Sequence, residues 1–149
     1  MVSFRKILVP VDFSDHSARA LDLAVELAAA FKARIELLHC YQVSPAALSP
    51  YGMVLPESFD REVREAAARR LGEWRDKASA RGVEVGANLS SMIPSLAIPD
   101  TAAELGADLI VMGTRGLSGL KHVLLGSVAE RVLRTAACPV LTVKVEAKA

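Results

Sequence analysis

Five short apolar runs, each closed by a residue that breaks or caps regular structure, constrain this chain more than any other feature. The first, Ile7-Leu-Val-Pro-Val11, is β-branched and continuous and is followed by Asp12-Phe13-Ser14. A run without polar alternation suits a strand buried on both faces, as parallel strands are. The second runs from Ala33 to Cys40, with Ile35, Leu37 and Leu38 apolar. The fourth, Asp108-Leu-Ile-Val-Met112, ends at Gly113. The fifth, Pro139-Val-Leu-Thr-Val143, begins at a proline that needs no ladder bond. The third differs. Val83, Val85, Ala87 and Leu89 alternate with Glu84, Gly86 and Asn88, which predicts a half-exposed strand near a sheet edge.

Between the runs the period changes from two to helical. Ser14 is placed to cap a helix whose apolar residues Ala20, Ala24, Leu27, Ala28 and Phe31 recur at helical spacing. Residues 58–81 predict a charged helix with Val63, Ala67, Leu71, Trp74 and Ala78 inward, stopped by Gly82. A third helix is expected over Ser95–Leu105, with Pro99 early in it, where few backbone bonds are lost. A fourth is expected over Ser127–Ala137, with Val128, Val132 and Leu133 inward. Residues 41–57 hold Pro45, Pro50, Gly52 and Pro56 and read as a long loop. Strands alternating with helices predict an α/β parallel sheet covered on both faces.

A length of 149 residues suits one domain spanning 1–149, and 52% hydrophobic side chains suffice for its core. Eighteen basic against 17 acidic residues leave a formal charge of +1, so no overall field draws the chain to nucleic acid or to a membrane surface. Charges interrupt every long apolar stretch, which argues against membrane insertion. The first apolar run is too short for a signal-peptide core. Two cysteines, Cys40 and Cys138, make neither a disulfide framework nor a zinc spacing. Both read as packing thiols in a reducing, cytoplasmic setting. His39 reads as a packing residue, and His16 and His122 as solvated; none forms a metal-ligand pattern.

Open parallel sheets bind ligands beyond the carboxyl ends of their strands. Two such ends stand out. One is Pro10-Val11-Asp12. The other is Gly113-Thr-Arg115-Gly116, followed after nine residues by Gly126-Ser127. Glycines admit an anion close to backbone N–H groups, and a helix starting at Ser127 offers free N–H groups and a hydroxyl. The same glycines also suit plain turns, Asp12 also suits helix capping, and Arg115 also suits a loop charge. Neither a Walker A loop nor G-x-G-x-x-G occurs.

The pattern Gly113-x-x-Gly116-(nine residues)-Gly126-Ser127 resembles the G-2x-G-9x-G-[S/T] motif of the ATP-binding branch of the universal stress protein family. The likeness extends through Asp108–Arg134, to Cys138-Pro-Val-Leu141, to Lys6–Ser14 and to Leu37-Leu-His-Cys40, and so covers nearly the whole chain. It implies a doubly wound five-stranded parallel sheet in the order 3-2-1-4-5. It implies ATP as ligand, with magnesium arriving on the triphosphate. Gly113, Arg115, Gly116, Gly126, Ser127 and Val128 match positions around the ribose and phosphates. Asp12 matches the adenosine end. Pro10, Val11 and Cys40 match the adenine walls, and Met112 adjoins the first glycine. Met92-Ile93-Pro94 departs from the Gly-x-Pro common in relatives and alters the pocket rim.

The resemblance also implies a homodimer through the last strand, 139–145, whose unpaired edge would invite a partner strand. The function expected is a nucleotide-binding stress-response module. The alternatives are a slow ATPase or phosphotransferase, for which Asp12 and Arg115 are the motif's only candidates, and a nucleotide-free interaction protein.

Overall fold

The computed structural model describes residues 1–42, 57–115 and 125–145. Most of the loop expected over 41–57, together with Gly116 and His122, lies outside them. The element order is β1 (Lys6–Pro10), α1 (Asp15–Phe31), β2 (Arg34–Cys40), α2 (Glu57–Ser79), β3 (Val85–Ser90), α3 (Pro94–Leu105), β4 (Leu109–Gly113), α4 (Ser127–Thr135) and β5 (Val140–Val143). All strand pairs are parallel, and the sheet order is β3-β2-β1-β4-β5. The expected α/β topology is therefore observed.

Alternate residues of the buried strands face opposite layers. Ile7, Val9, Ile35, Leu37, Leu109 and Val111 pack with Ala20, Ala24 and Ala28 of α1 and Leu71 and Ala78 of α2. Leu8, Leu38, Ile110 and Met112 pack with Ala97, Ile98 and Ala102 of α3 and Ala129 and Val132 of α4. Chain direction explains the split. Crossovers from β1 towards β3 and from β3 back towards β5 run opposite ways, so a single right-handed rule puts α1 and α2 on one face and α3 and α4 on the other.

Local signals act as their chemistry requires. Ser14 caps α1, its Oγ accepting from the Ser17 N–H at 3.2 Å. Gly82, at φ +93°, ends the turn after α2. At the amino ends of the strands, the Asp108 carboxylate accepts from the backbone N–H groups of Arg5 (2.9 Å) and Lys6 (3.3 Å). The start of β1 is thereby tied to the start of β4.

Three expectations need correction. Leu133 is 44% exposed. The inner stripe of α4 runs instead through Ala129 and Val132, because the small Ala129 lets the helix sit close on the sheet and leaves Leu133 on its flank. Ala87 is exposed although Val85 and Leu89 pack on the core, since an edge strand has a neighbour on one side only. Pro99 is the sixth residue of α3, not one of its first few, so it removes the bond its N–H would have given to the Ser95 carbonyl.

The sequence also hides a buried charge. Glu36 is 7% exposed on the α3/α4 face of β2. Its carboxylate accepts from Arg34 Nε at 2.5 Å and Asn88 Nδ2 at 2.8 Å, and Arg34 also pairs with Glu84. Glu36 raises the Arg34 pKa, first through their hydrogen bond. Gly86 makes room for the cluster, since a methyl group there would lie 2.8 Å from Arg34 Nη2.

Candidate functional site

The strand order reverses between β1 and β4, where α/β sheets open a crevice. The structure gives a backbone reason for it. The Val11 N–H donates to the Leu38 carbonyl at 2.8 Å, so the odd-numbered residues of β1 face β2. Pro10 therefore faces β4, and its missing N–H ends the ladder on that side. Accordingly β1 pairs five residues with β2 but only Ile7 and Leu8 with β4.

Around this gap stand most of the residues expected from the sequence. Asp12 follows β1, and its Oδ1 accepts from the Ser14 N–H at 3.0 Å, so the carboxylate belongs to the turn that starts α1. Cys40 ends β2 and is half-buried, and burial pushes its thiol up to about 11. Gly113 ends β4, with Arg115 two residues on. Gly126 is the N-cap of α4, and Ser127 and Val128 open the helix. Gly116 lies outside the described residues. Val11 and Met112 are only 4% and 5% exposed, buried in the two opposite cores, so they floor the gap and offer it little surface. Pro10 is half-buried beside them.

The two described glycines of the motif have packing roles. A methyl group on Gly113 would lie 2.8 Å from His16 Cβ and 3.0 Å from both the carbonyl carbon and the oxygen of His16. The space this glycine vacates is thus taken by the first turn of α1. His16 is accordingly not the solvated residue expected; it is half-buried, and its Nδ1 is buried without a hydrogen-bond partner among the described residues. A methyl group on Gly126 would lie 3.1 Å from the Thr114 carbonyl oxygen, which accepts the Gly126 N–H at 2.5 Å. That bond cinches the two ends of the 114–126 segment together beside β4.

It also spends the Gly126 N–H, so the donors left to the start of α4 are those that follow. The first intrahelical bond runs from the Glu130 N–H to the Gly126 carbonyl. The N–H groups of Ser127, Val128 and Ala129 precede it and have no helical carbonyl to meet, and Gly126 supplies no side-chain cap. With the exposed Ser127 hydroxyl they present a concentrated set of donors at the positive end of the helix. A carboxylate at one strand end and these donors at the next can receive a ligand with hydroxyls at one end and anionic oxygens at the other.

Two further neighbours were not assigned to the site from sequence. His39, read as packing, donates from Nδ1 to the Val11 carbonyl at 2.8 Å. Phe13 adopts φ +66°, which nothing in its residue type announces. The position of His39, one residue before a strand end, was the only available signal. Cys138, just before β5, lies at the opposite end of the sheet. Its thiol is also raised by burial and, to a lesser degree, by the Asp108 charge. Among the described residues no group of three or more His, Cys, Asp or Glu side chains stands together as a metal site. No helix among them is long and apolar enough to cross a membrane.

Comparison with known proteins agrees with this architecture. A family profile described as the Universal stress protein family matches residues 3–144. The chain is 39% identical to universal stress protein YxiE of Bacillus subtilis, over 95% of this chain and 99% of that protein. It is 37% identical to universal stress protein MJ0531 of Methanocaldococcus jannaschii, over 95% and 82%. The solved structure of the hypothetical protein MJ0577 superposes with a TM-score of 0.82 at 27% identity, covering 99% of this chain and all of the other. A universal stress protein solved in complex with cAMP superposes with a TM-score of 0.67 at 29% identity, covering 96% and 98%. With its strand order, its split core and a profile match over nearly its whole length, this chain belongs to the universal stress protein family.

Proposed function

We propose that this chain is a single-domain stress-response module that binds an adenine nucleotide, ATP, at the carboxyl ends of β1, β2 and β4. The observation that carries this reading is that one switch point is flanked by the Asp12 carboxylate, just beyond β1, and by the first-turn N–H groups of Ser127, Val128 and Ala129, which have no carbonyl to meet within their own helix. These groups suit the two ends of such a ligand. Asp12 would accept from ribose hydroxyls or the base, while the start of α4, Ser127 and Arg115 would hold the phosphates. Pro10 and Cys40 would flank the adenine, with Val11 and Met112 beneath. Gly116 enters on the sequence motif alone. Magnesium would ride on the phosphates and water, without a protein-built site. That a relative of 29% identity binds cAMP supports an adenine nucleotide as the ligand class.

The module would be cytoplasmic and would pair through β5. That strand is a sheet edge, with Leu141 on it 38% exposed and Leu133 exposed on α4, which packs against it.

Cysteine protection tests the nucleotide site with a built-in control. Cys40 stands at the carboxyl end of the sheet and Cys138 at the amino end. In timed alkylation followed by mass spectrometry, Mg·ATP should slow labelling of Cys40 and leave Cys138 unchanged. Equal rates at Cys40 with and without nucleotide would count against the site.

A further inference from the structure

Between Asp12 and the helix cap Ser14 stands Phe13, at φ +66°. Left-handed backbone is unfavourable for any residue with a Cβ and is unusual for a bulky aromatic one. Glycine would adopt it freely. A phenylalanine here therefore requires that its ring supply what its backbone lacks, and the ring is held on several sides. Trp74 meets it edge-on, with centroids 5.3 Å apart. The His39 ring lies 4.3 Å away, tilted by 38°. The Arg70 guanidinium carbon sits 4.4 Å from the ring centroid, within cation–π range. Arg70 and Trp74 are four residues apart on α2 and so share one face of it. His39 also holds the Val11 carbonyl, on the other side of Asp12.

We infer that Phe13 is the positioning residue for Asp12, and that α2, through Arg70 and Trp74, is the element that holds it. The left-handed turn at Phe13 brings the Ser14 N–H onto Asp12 Oδ1, one of the contacts that orient the carboxylate. Without the ring clamp, residue 13 relaxes towards ordinary backbone, the Ser14 N–H leaves the carboxylate, and Asp12 loses one of the bonds that orient it. The consequence for ligand affinity rests on the nucleotide reading above; the clamp itself does not. It also gives α2 a mechanical link to the site: displacing Arg70 and Trp74 would loosen Asp12, and a ligand that grips Asp12 would stiffen the face of α2 that they form. The chain's sole tryptophan is Trp74, so that link carries its own fluorescent reporter.

The test combines a double-mutant cycle with a measurement that needs no ligand. Calorimetric titration with Mg·ATP on wild type, Phe13→Ala, Asp12→Ala and the double variant should show Phe13→Ala weakening binding about tenfold, with no further loss once Asp12 is gone. Phe13→Tyr, which keeps the ring, should restore affinity to within about twofold. Wild-type affinity in Phe13→Ala, or independent losses that multiply in the double variant, overturns the inference. If Phe13→Ala fails to fold, Arg70→Ala takes its place, with a loss of about threefold expected and unchanged affinity overturning the inference.

In the absence of nucleotide, amide exchange at Ser14 should accelerate about tenfold in Phe13→Ala, or in Arg70→Ala, while the core amides of Leu8 and Ile110 keep their rates. Unchanged Ser14 exchange refutes the clamp whether or not ATP binds. Faster Ser14 exchange in a protein that binds no ATP leaves the clamp standing and refutes the nucleotide reading instead.

Discussion

Replacing Gly113 by alanine separates two reasons for a glycine at the end of β4. If it serves only to let an anion approach, the ligand-free protein should tolerate a methyl group. The structure gives a different expectation. The added carbon would lie 2.8 Å from His16 Cβ and 3.0 Å from two atoms of the His16 backbone, closer than carbon atoms normally pack. Backbone at the capped start of a helix does not swing aside as a side-chain tip does, so α1 or the end of β4 must shift. Forced overpacking of this kind costs about 1–3 kcal/mol. Against it stands a gain of about 0.4–1 kcal/mol, because alanine loses less unfolded-state freedom than glycine. Gly113 has no positive φ, so no backbone strain adds to the cost. At the middle of both ranges the net loss is about 1.3 kcal/mol, which for a chain of this size lowers Tm by roughly 3–5 °C. Thermal unfolding of the nucleotide-free variant measures it. Because two of the three contacts are to backbone and the third is to the Cβ that alanine keeps, His16→Ala should not rescue the variant. A Tm equal to or above that of the wild type would refute the packing argument and return Gly113 to the anion-approach explanation.

The other predictions are smaller in scope. Ser14→Ala removes the cap of α1 and should lower stability by about 1 kcal/mol in urea unfolding, with an unchanged midpoint contradicting the assignment. Burial raises the Cys40 thiol from its ordinary 9.0 to about 11. The folded chain therefore keeps this proton where the unfolded chain sheds it, so the stability it contributes is present below pH 9 and is lost as pH rises towards 11. At pH 8 its alkylation should be about a hundredfold slower than that of an unperturbed cysteine, and a rate near the free-thiol value would contradict the burial. Leu141→Lys combined with Leu133→Glu should yield monomer by light scattering with an unchanged far-ultraviolet dichroism spectrum, and a persisting dimer would place the interface elsewhere.

What the sequence made legible follows from where its signals are local. The five strands, their parallel pairing and the cap at Ser14 rest on runs and residue types that act over a few positions, and they stand where they were expected. What it concealed depends on neighbours distant in the chain. Glu36 looks like a solvated charge within a strand until Arg34, Asn88 and the vacancy at Gly86 surround it. Leu133 reads as inward from its spacing, but the close seat of Ala129 turns it out. Gly113 reads as half of an anion cradle because its partner in space, His16, lies nearly a hundred residues away. Phe13 carries no mark of its left-handed backbone, because that conformation is imposed by rings on α2 and β2. In the candidate site, Gly113 and Gly126–Val128 were expected from the motif, and Asp12 and Cys40 from the wider family resemblance. The part played by the Thr114 carbonyl, which closes the segment on Gly126, needed the fold.

The central claim is that the start of α4 and the Asp12 turn together receive an adenine nucleotide. Calorimetric titration of nucleotide-stripped protein with Mg·ATP tests it most directly, alongside Gly126→Val, whose branched side chain would crowd the Thr114 carbonyl at the start of α4. The account predicts one site per chain with affinity on the order of micromolar in the wild type, weakened at least about tenfold in the variant while its thermal transition stays cooperative. Absence of binding by the wild type, or equal affinity in the two proteins, would contradict it.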